Sequence, residues 1–168
     1  HPNAKINFKL GDVVTTSIGC ANGETILLQH DTNLPRPYSL GFRVQGTNGI
    51  WMDVNKGVHI EGVSKPHQWD ASKEWFDKYD HPLWLRWSKE TEGAGHGGMD
   101  FFVIHSFVES IKRKQPTPMD VYDAASWSAI TPLSEISVEK GNETIEFPDF
   151  TGGRWMYRKP VFALNDDY

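Results

Sequence analysis

The sequence predicts an α+β domain in which strands come first and helices follow. Segments rich in β-branched residues, separated by turn pairs, fill the first half; segments with helical spacing fill the second, without regular alternation between the two. At 168 residues, with 38% hydrophobic and 23% charged residues, the chain is long enough for a globular domain with its own core. We therefore expect a single domain over residues 1–168, built from a mostly antiparallel sheet with helices packed on one face.

The strand-like segments predict a series of hairpins. Asn22-Gly23 separates the first two segments and is the pair that a type I′ turn favours. Thr47-Asn48-Gly49 marks a second turn. The predicted strands are residues 13–18, 24–31, 40–45, 50–54 and 58–61, with one more at 143–147.

Helices are predicted over residues 69–79, 82–92 and 100–113, with a fourth beginning near Asp120. The third carries apolar residues at helical spacing, namely Phe101, Ile104, Val108 and Ile111. Pro116 and Pro118 should stop this helix, and Pro132 should kink or end the fourth.

A glycine-rich loop leads directly into the third predicted helix, and its glycines are Gly95, Gly97 and Gly98. Glycines allow positive φ and close approach of a partner, and the first N–H groups of a helix attract polar or anionic ligands. His96 on this loop and Asp100 in the first helical turn are therefore candidate binding groups. The alternative is a tight loop-to-helix entry in which Asp100 serves only the first turn.

The loop after the second predicted strand offers another candidate site. His30 and Asp31 end that strand, and two prolines then flank Arg36 before Tyr38. Arg36 could bind a carboxylate or phosphate with two hydrogen bonds, and Tyr38 could donate its hydroxyl or stack on a ligand. Equally, Arg36 could pair with Asp31 while Tyr38 is half-buried.

Several function classes receive no support from the residues. The net charge is −5 without a basic stripe, and no apolar run is long enough to span a bilayer, so we expect neither nucleic acid nor a membrane as partner. His96 and Asp100 have no third ligand at a recognisable spacing, so we expect no metal site. The sequence contains neither a nucleophile-elbow pattern nor a GxGxxG fingerprint after a strand. The chain also lacks an initiator Met, and we expect it to be a piece of a longer protein.

Short motifs then occur in a fixed order: QHD at 29–31, PRPYS at 35–39, QGTNG at 45–49, KYDHPLW at 78–84, GHGGMDF at 95–101, DVYDAASWS at 120–128 and PDFT at 148–151. This series resembles the C-terminal domain of the Gfo/Idh/MocA oxidoreductase family. Within that family it is most similar to the branch containing glycoside hydrolase family 109, the NAD-dependent α-N-acetylgalactosaminidases. The resemblance covers nearly the whole chain.

The resemblance implies the C-terminal, dihydrodipicolinate-reductase-like half of a two-domain enzyme. The N-terminal Rossmann domain, with the NAD site and the main acid–base residues, would precede His1. One face of a large sheet would support a homo-oligomer, and the other side would close over nicotinamide and sugar. The parent would be an NAD(P)-dependent sugar oxidoreductase or an NAD-dependent glycosidase, which oxidises the sugar transiently, eliminates the aglycone, adds water and re-reduces.

For individual residues, the resemblance implies that Tyr38 contacts the carbohydrate substrate. It implies that Arg36 and His30 shape that loop or line the pocket. His96, with the neighbouring glycines and Asp100, would lie near the rim of the site. We expect the 168-residue piece itself to bind no NAD and to be inactive, with no catalytic residue of its own. The alternative is a stand-alone carbohydrate-binding or dimerisation module without catalysis.

Overall fold

The computed structural model describes residues 1–7, 11–159, 161 and 164–168. Within these residues it confirms the α+β class, because antiparallel strands come first and four α-helices follow. The chain divides into two compact units, His1–Leu40 and Gly41–Tyr168, and each unit contains its own sheet. One domain over residues 1–168 stays a prediction, since compact units do not by themselves mark domain boundaries.

The first unit contains a hairpin of β1 (Val14–Gly19) and β2 (Thr25–His30), paired in antiparallel register from Val14 opposite His30 to Gly19 opposite Thr25. The predicted type I′ turn is wrong. The N–H of Gly23 donates to the carbonyl of Cys20 over 3.0 Å, so the turn spans residues 20–23 instead of centring on Asn22-Gly23. Gly23 has a φ of 99°, and one left-handed glycine after an ordinary turn closes the hairpin.

The second unit contains four strands in the order β3 (Arg43–Gln45), β4 (Gly49–Met52), β5 (Gly57–Ile60) and β6 (Asp70–Ala71). The resemblance implied one large sheet, whereas the described strands form two smaller ones. The predicted helix over residues 69–79 begins too early, because Asp70 and Ala71 pair with β5. Ser72 fixes the change from strand to helix, since its backbone N–H and its hydroxyl both donate to the carbonyl of Lys56.

The helices are α1 (Ser72–Tyr79), α2 (Pro82–Trp87), α3 (Met99–Arg113) and α4 (Val121–Glu139), with short 3-10 turns at His96–Gly98 and Arg154–Tyr157. α2 is shorter than predicted and ends at Trp87. α3 matches its prediction and ends at Arg113. Lys114 follows with a φ of 55° and terminates the helix just before the prolines.

Two further predictions are corrected near the end of the chain. The sequence predicted a kink or an end of the fourth helix at Pro132. α4 continues to Glu139, so the predicted end is wrong, whereas the kink stays a prediction. Pro132 leaves the helix interior with one backbone donor fewer. Residues 143–147 form no strand. The Ser137 hydroxyl donates to the carbonyl of Glu143, so a side chain, not a neighbouring strand, satisfies that carbonyl.

Aromatic rings contact one another at several places in the second unit. Val58 on β5 and Leu83 on α2 are buried, and Trp51 packs between the rings of Phe42 and Phe76. Between α2 and α3 the ring contacts are Trp84 with Phe102, and Trp87 with Phe101 and His105. Among the described residues, no helix combines the length and hydropathy needed to cross a bilayer.

Candidate functional site

The loop that follows β2 is held in shape by Arg36. Its Nε lies 3.1 Å from the carboxylate of Asp31, and its two terminal nitrogens donate to the carbonyls of Asp31 and Ser39, over 3.4 and 3.1 Å. The guanidinium therefore ties the beginning of the loop to its end. Of the two interpretations of Arg36, the structure shows the pair with Asp31, so its hydrogen-bonding groups serve the loop.

Tyr38 is not half-buried but projects from this loop, with 90% of its surface exposed. Pro35 and Pro37 restrict the backbone on either side of Arg36, so few conformations compete with the one observed. His30 closes β2 opposite Val14 and is exposed. The hairpin and the proline-bounded loop thus present an exposed aromatic ring with a hydroxyl.

Asp31 belongs to this arrangement although it was not among the predicted binding residues. Its Oδ2 faces Arg36, whereas Oδ1 is buried without a hydrogen-bond partner among the described residues. A buried acceptor of this kind is normally satisfied by a further donor. The sequence feature that could have revealed the role of Asp31 is an acidic residue followed by a single arginine inside a proline-bounded loop.

The glycine-rich loop before α3 carries a histidine–aspartate pair. Nδ1 of His96 lies 2.9 and 3.0 Å from the two carboxylate oxygens of Asp100. A carboxylate accepts, so Nδ1–H donates, and a neutral ring then has its acceptor nitrogen at Nε2. Both side chains are exposed, and Asp100 faces back toward the loop instead of serving only the first helical turn.

This loop has an unusual backbone that explains its glycines. His96, Gly97 and Gly98 have φ values of 52°, 67° and 100° in succession. A Cβ on Gly95 would lie 2.3 Å from Oδ2 of Asp100, and one on Gly98 would lie 2.9 Å from the Thr91 Cβ. The close approach of Asp100 and the packing against Thr91 therefore both require glycine.

The sequence-predicted binding residues fall into two groups. His30, Arg36 and Tyr38 belong to the first unit, whereas His96, Asp100 and the glycines at 95, 97 and 98 belong to the second. Across the described ranges of the chain, the histidine, cysteine and acidic side chains form no group of three able to hold a metal ion.

Ion pairs anchor the end of the chain within the second unit. Arg158 donates to both carboxylate oxygens of Asp123 at the start of α4, and this hydrogen bonding lowers the pKa of Asp123. Arg113 on α3 donates to both carboxylate oxygens of Asp167 from one nitrogen, Nη1, and this hydrogen bonding lowers the pKa of that carboxyl. These shifted groups are accounted for by contacts within the second unit.

The described strands do not form a Rossmann-type dinucleotide site. Such cofactors bind where parallel strands alternate with helices and a glycine-rich turn cradles the pyrophosphate. Every strand pair in the described residues is antiparallel, and the glycine-rich loop follows a turn, not a strand.

Residues 1–157 match the family model for the C-terminal domain of glycosyl hydrolase 109. The chain belongs to glycosyl hydrolase family 109. Over 168 residues it is 62% identical to a glycosyl hydrolase family 109 protein of Stenotrophomonas maltophilia. The aligned segment makes up 100% of this chain and 37% of that protein. It is 58% identical over 164 residues to an alpha-N-acetylgalactosaminidase of Tannerella forsythia, covering 98% of this chain and 35% of that protein.

A more distant relative gives the same result. The family 109 chain is 42% identical over 167 residues to an alpha-N-acetylgalactosaminidase of Shewanella oneidensis, covering 96% of the chain and 36% of that protein. The resemblance stated from the motifs is thus confirmed for family 109. The chain spans only 35 to 37% of the length of these three relatives.

Proposed function

We propose that this family 109 chain is the substrate-side domain of a glycosidase that acts on α-N-acetylgalactosaminides, and that Tyr38 contacts the sugar. The main support for the role of Tyr38 is its exposure. Tyr38 is 90% exposed on a loop that Arg36 fixes at both ends. Two relatives that match nearly all of the chain are named for this activity, which supports the substrate class.

The chemistry of Tyr38 suits such a role. A phenol ring packs against the apolar face of a sugar, and its hydroxyl can donate to or accept from a ring hydroxyl or an acetamido group. In this proposal Arg36 and Asp31 are positioning residues, and His30 lines the base of the same loop. The His96–Asp100 pair, with its glycine loop, is proposed separately as a polar contact surface of the second unit.

We further propose that NAD and the main acid–base residues belong to the part of the parent protein outside this chain. The antiparallel sheets and the loop geometry support this division, because they offer no dinucleotide cradle within the described residues. On this proposal the 168-residue chain alone neither binds NAD tightly nor cleaves substrate.

The test is Tyr38→Phe in the full-length protein that contains this chain, assayed with an aryl α-N-acetylgalactosaminide. Loss of one hydroxyl contact to substrate should lower kcat/KM by about tenfold while the unfolding midpoint stays unchanged. Tyr157→Phe is the matched control, because Tyr157 is 83% exposed and lies outside the loop. Equal kcat/KM for both variants and the wild type would remove Tyr38 from the site.

A further inference from the structure

Asparagine followed by glycine occurs at two turns of the chain. Asn22-Gly23 lies between β1 and β2, and Asn48-Gly49 lies where β3 turns into β4. This pair is chemically labile, because a glycine has no side chain to shield its backbone nitrogen from the asparagine that precedes it. That nitrogen attacks Cγ of the asparagine side chain. The two turns differ in how firmly the structure holds the peptide group that must move in this attack.

The attack requires a rotation about the Cα–C bond of the asparagine. The asparagine carbonyl and the N–H of the following glycine lie in one peptide plane, so this rotation moves both groups together. A hydrogen bond made by either group must break when the plane turns. The hydrogen bonds of that peptide therefore set how often the reactive geometry is reached in the folded protein.

The peptide between Asn48 and Gly49 is held by the segment around β5. The carbonyl of Asn48 accepts from the N–H of Glu61 over 2.8 Å. A Cβ on Gly49 would lie 2.8 Å from the carbonyl oxygen of His59, which shows how closely this segment approaches the turn. Rotation at Asn48 thus breaks a contact with the neighbouring strand and displaces a residue that is packed against it.

The peptide between Asn22 and Gly23 is held only within its own turn. The N–H of Gly23 donates to the carbonyl of Cys20 over 3.0 Å, whereas no group in the described part of the chain donates to the carbonyl of Asn22. A Cβ on Gly23 would meet no described atom within 4 Å, and both residues are exposed. In the described sheets β1 and β2 pair with each other alone, so no third strand holds this turn.

We infer that Asn22 is a site of spontaneous deamidation in the folded protein and that Asn48 is protected from it. The nitrogen of Gly23 bonds to Cγ of Asn22, the bond from Cγ to the side-chain nitrogen breaks, and ammonia leaves with the proton that Gly23 gives up. The product of this step is a five-membered succinimide ring. Water then opens the ring at either carbonyl and leaves an aspartate, or an isoaspartate whose main chain runs through Cβ.

Either product changes the turn that joins β1 to β2. A carboxylate replaces a neutral amide two residues before Glu24, and the formal net charge of −5 becomes one unit more negative. An isoaspartate also lengthens the backbone of the turn by one methylene group, next to the pair of Gly19 and Thr25 that closes the hairpin. The inference concerns this turn and does not depend on the substrate proposed above.

The test follows both asparagines in the full-length wild-type protein, kept in mildly alkaline buffer, where the attacking nitrogen loses its proton more readily. Samples are digested, and the peptides that contain positions 22 and 48 are quantified by mass spectrometry as asparagine, aspartate and isoaspartate. We expect the native protein to lose the amide at position 22 at least about tenfold faster than at position 48. In denaturant the two positions should react at similar rates, because neither turn is then held.

Equal rates at positions 22 and 48 in the native protein would overturn the inference. A position 22 that reacts in denaturant but not in the native protein would also overturn it. This comparison needs no substitution, so it does not depend on the folding of a variant.

Asn22→Gln is the control for a second readout, the appearance of a more acidic form on ion-exchange chromatography. A glutamine side chain would have to close a six-membered ring and reacts far more slowly. The early acidic form of the wild type should therefore be absent from Asn22→Gln. Its appearance at the wild-type rate in that variant would place the reaction at another residue and contradict the assignment to Asn22.

Discussion

At the scale of single residues, the proposal depends on the contact between Arg36 and Asp31. Arg36→Lys keeps the charge but loses the fork that reaches both ends of the loop. In the full-length protein we expect Arg36→Lys to lower kcat/KM by about fivefold. Tyr38→Phe should then lower kcat/KM by a smaller factor in the Arg36→Lys variant than in the wild type. Steady-state kinetics of the single and double variants measure this coupling.

The control for that cycle is Arg43→Lys, because Arg43 is also an exposed arginine but bonds Gln45 on β3 instead of the loop. Additive effects of Arg36→Lys and Tyr38→Phe would show that Arg36 does not position Tyr38.

Gly98 is the glycine that the fold tolerates least. Alanine there would combine a φ of 100° with a Cβ 2.9 Å from Thr91, and we expect the free energy of unfolding to fall by about 3 kcal/mol. Gly97→Ala is the matched comparison, because Gly97 has a φ of 67° with open space around it, so about 1 kcal/mol is expected. Urea unfolding measures both, and equal losses would contradict the packing described at Gly98.

The residue scale also shows what the sequence could and could not reveal. The motifs in the sequence singled out Arg36 and Tyr38. The Arg36 guanidinium could bind either a ligand or Asp31, and the sequence does not distinguish these two partners. The coordinates show the pair with Asp31. The glycines before α3 predicted positive φ, and the structure confirms it at Gly97 and Gly98. The close approach of the Asp100 carboxylate to Gly95 depends on the side-chain conformation of Asp100, which spacing does not contain.

At the scale of elements, α4 depends on the reciprocal cap at its start. The Asp120 side chain accepts from the N–H groups of Tyr122 and Asp123, and the Asp123 side chain accepts from the N–H of Asp120. Asp120→Ala should lower the free energy of unfolding by about 1 kcal/mol. Asp120→Asn keeps an acceptor and should lower it much less. Urea unfolding of both variants checks this, and equal losses would argue against the cap.

The second element-scale prediction concerns acid. Hydrogen bonding from Arg158 lowers the folded-state pKa of Asp123, so the stabilisation is present above the unfolded-state pKa, about 4, and is lost as pH falls through the lower folded-state value. Asp123→Asn keeps the capping acceptor but removes the charge. It should therefore be less stable than wild type near neutral pH, and the gap should narrow below pH about 4.

Urea unfolding of the two proteins at neutral and acidic pH measures that gap. A difference in stability that does not change with pH would show that the Arg158 contact contributes nothing through ionisation.

Predicted elements failed where tertiary contacts overrode local pattern. Residues 69–71 directly precede α1, yet Asp70 and Ala71 pair with β5. Ser72 holds this segment against the sheet, because its hydroxyl donates to the carbonyl of Lys56, sixteen residues earlier in the sequence. Pro132 lies inside α4, which continues to Glu139, so the predicted end of the helix at this proline is wrong. The contact between Ser72 and Lys56 leaves no periodic signal, and hence it could not be predicted from spacing.

At the scale of the whole molecule, the ordered motifs gave the family, and the family model and relatives confirm it. Composition and periodicity alone reached only an α+β class, since the sequence displays no recognisable catalytic motif.

The assignment to a glycosidase calls for one assay on the full-length protein, purified with its cofactor and incubated with an aryl α-N-acetylgalactosaminide. Aglycone release and NADH absorbance are followed together. We predict aglycone release without accumulation of NADH. NADH accumulation with free sugars, and no aglycone release, would contradict the assignment and make the parent a sugar dehydrogenase.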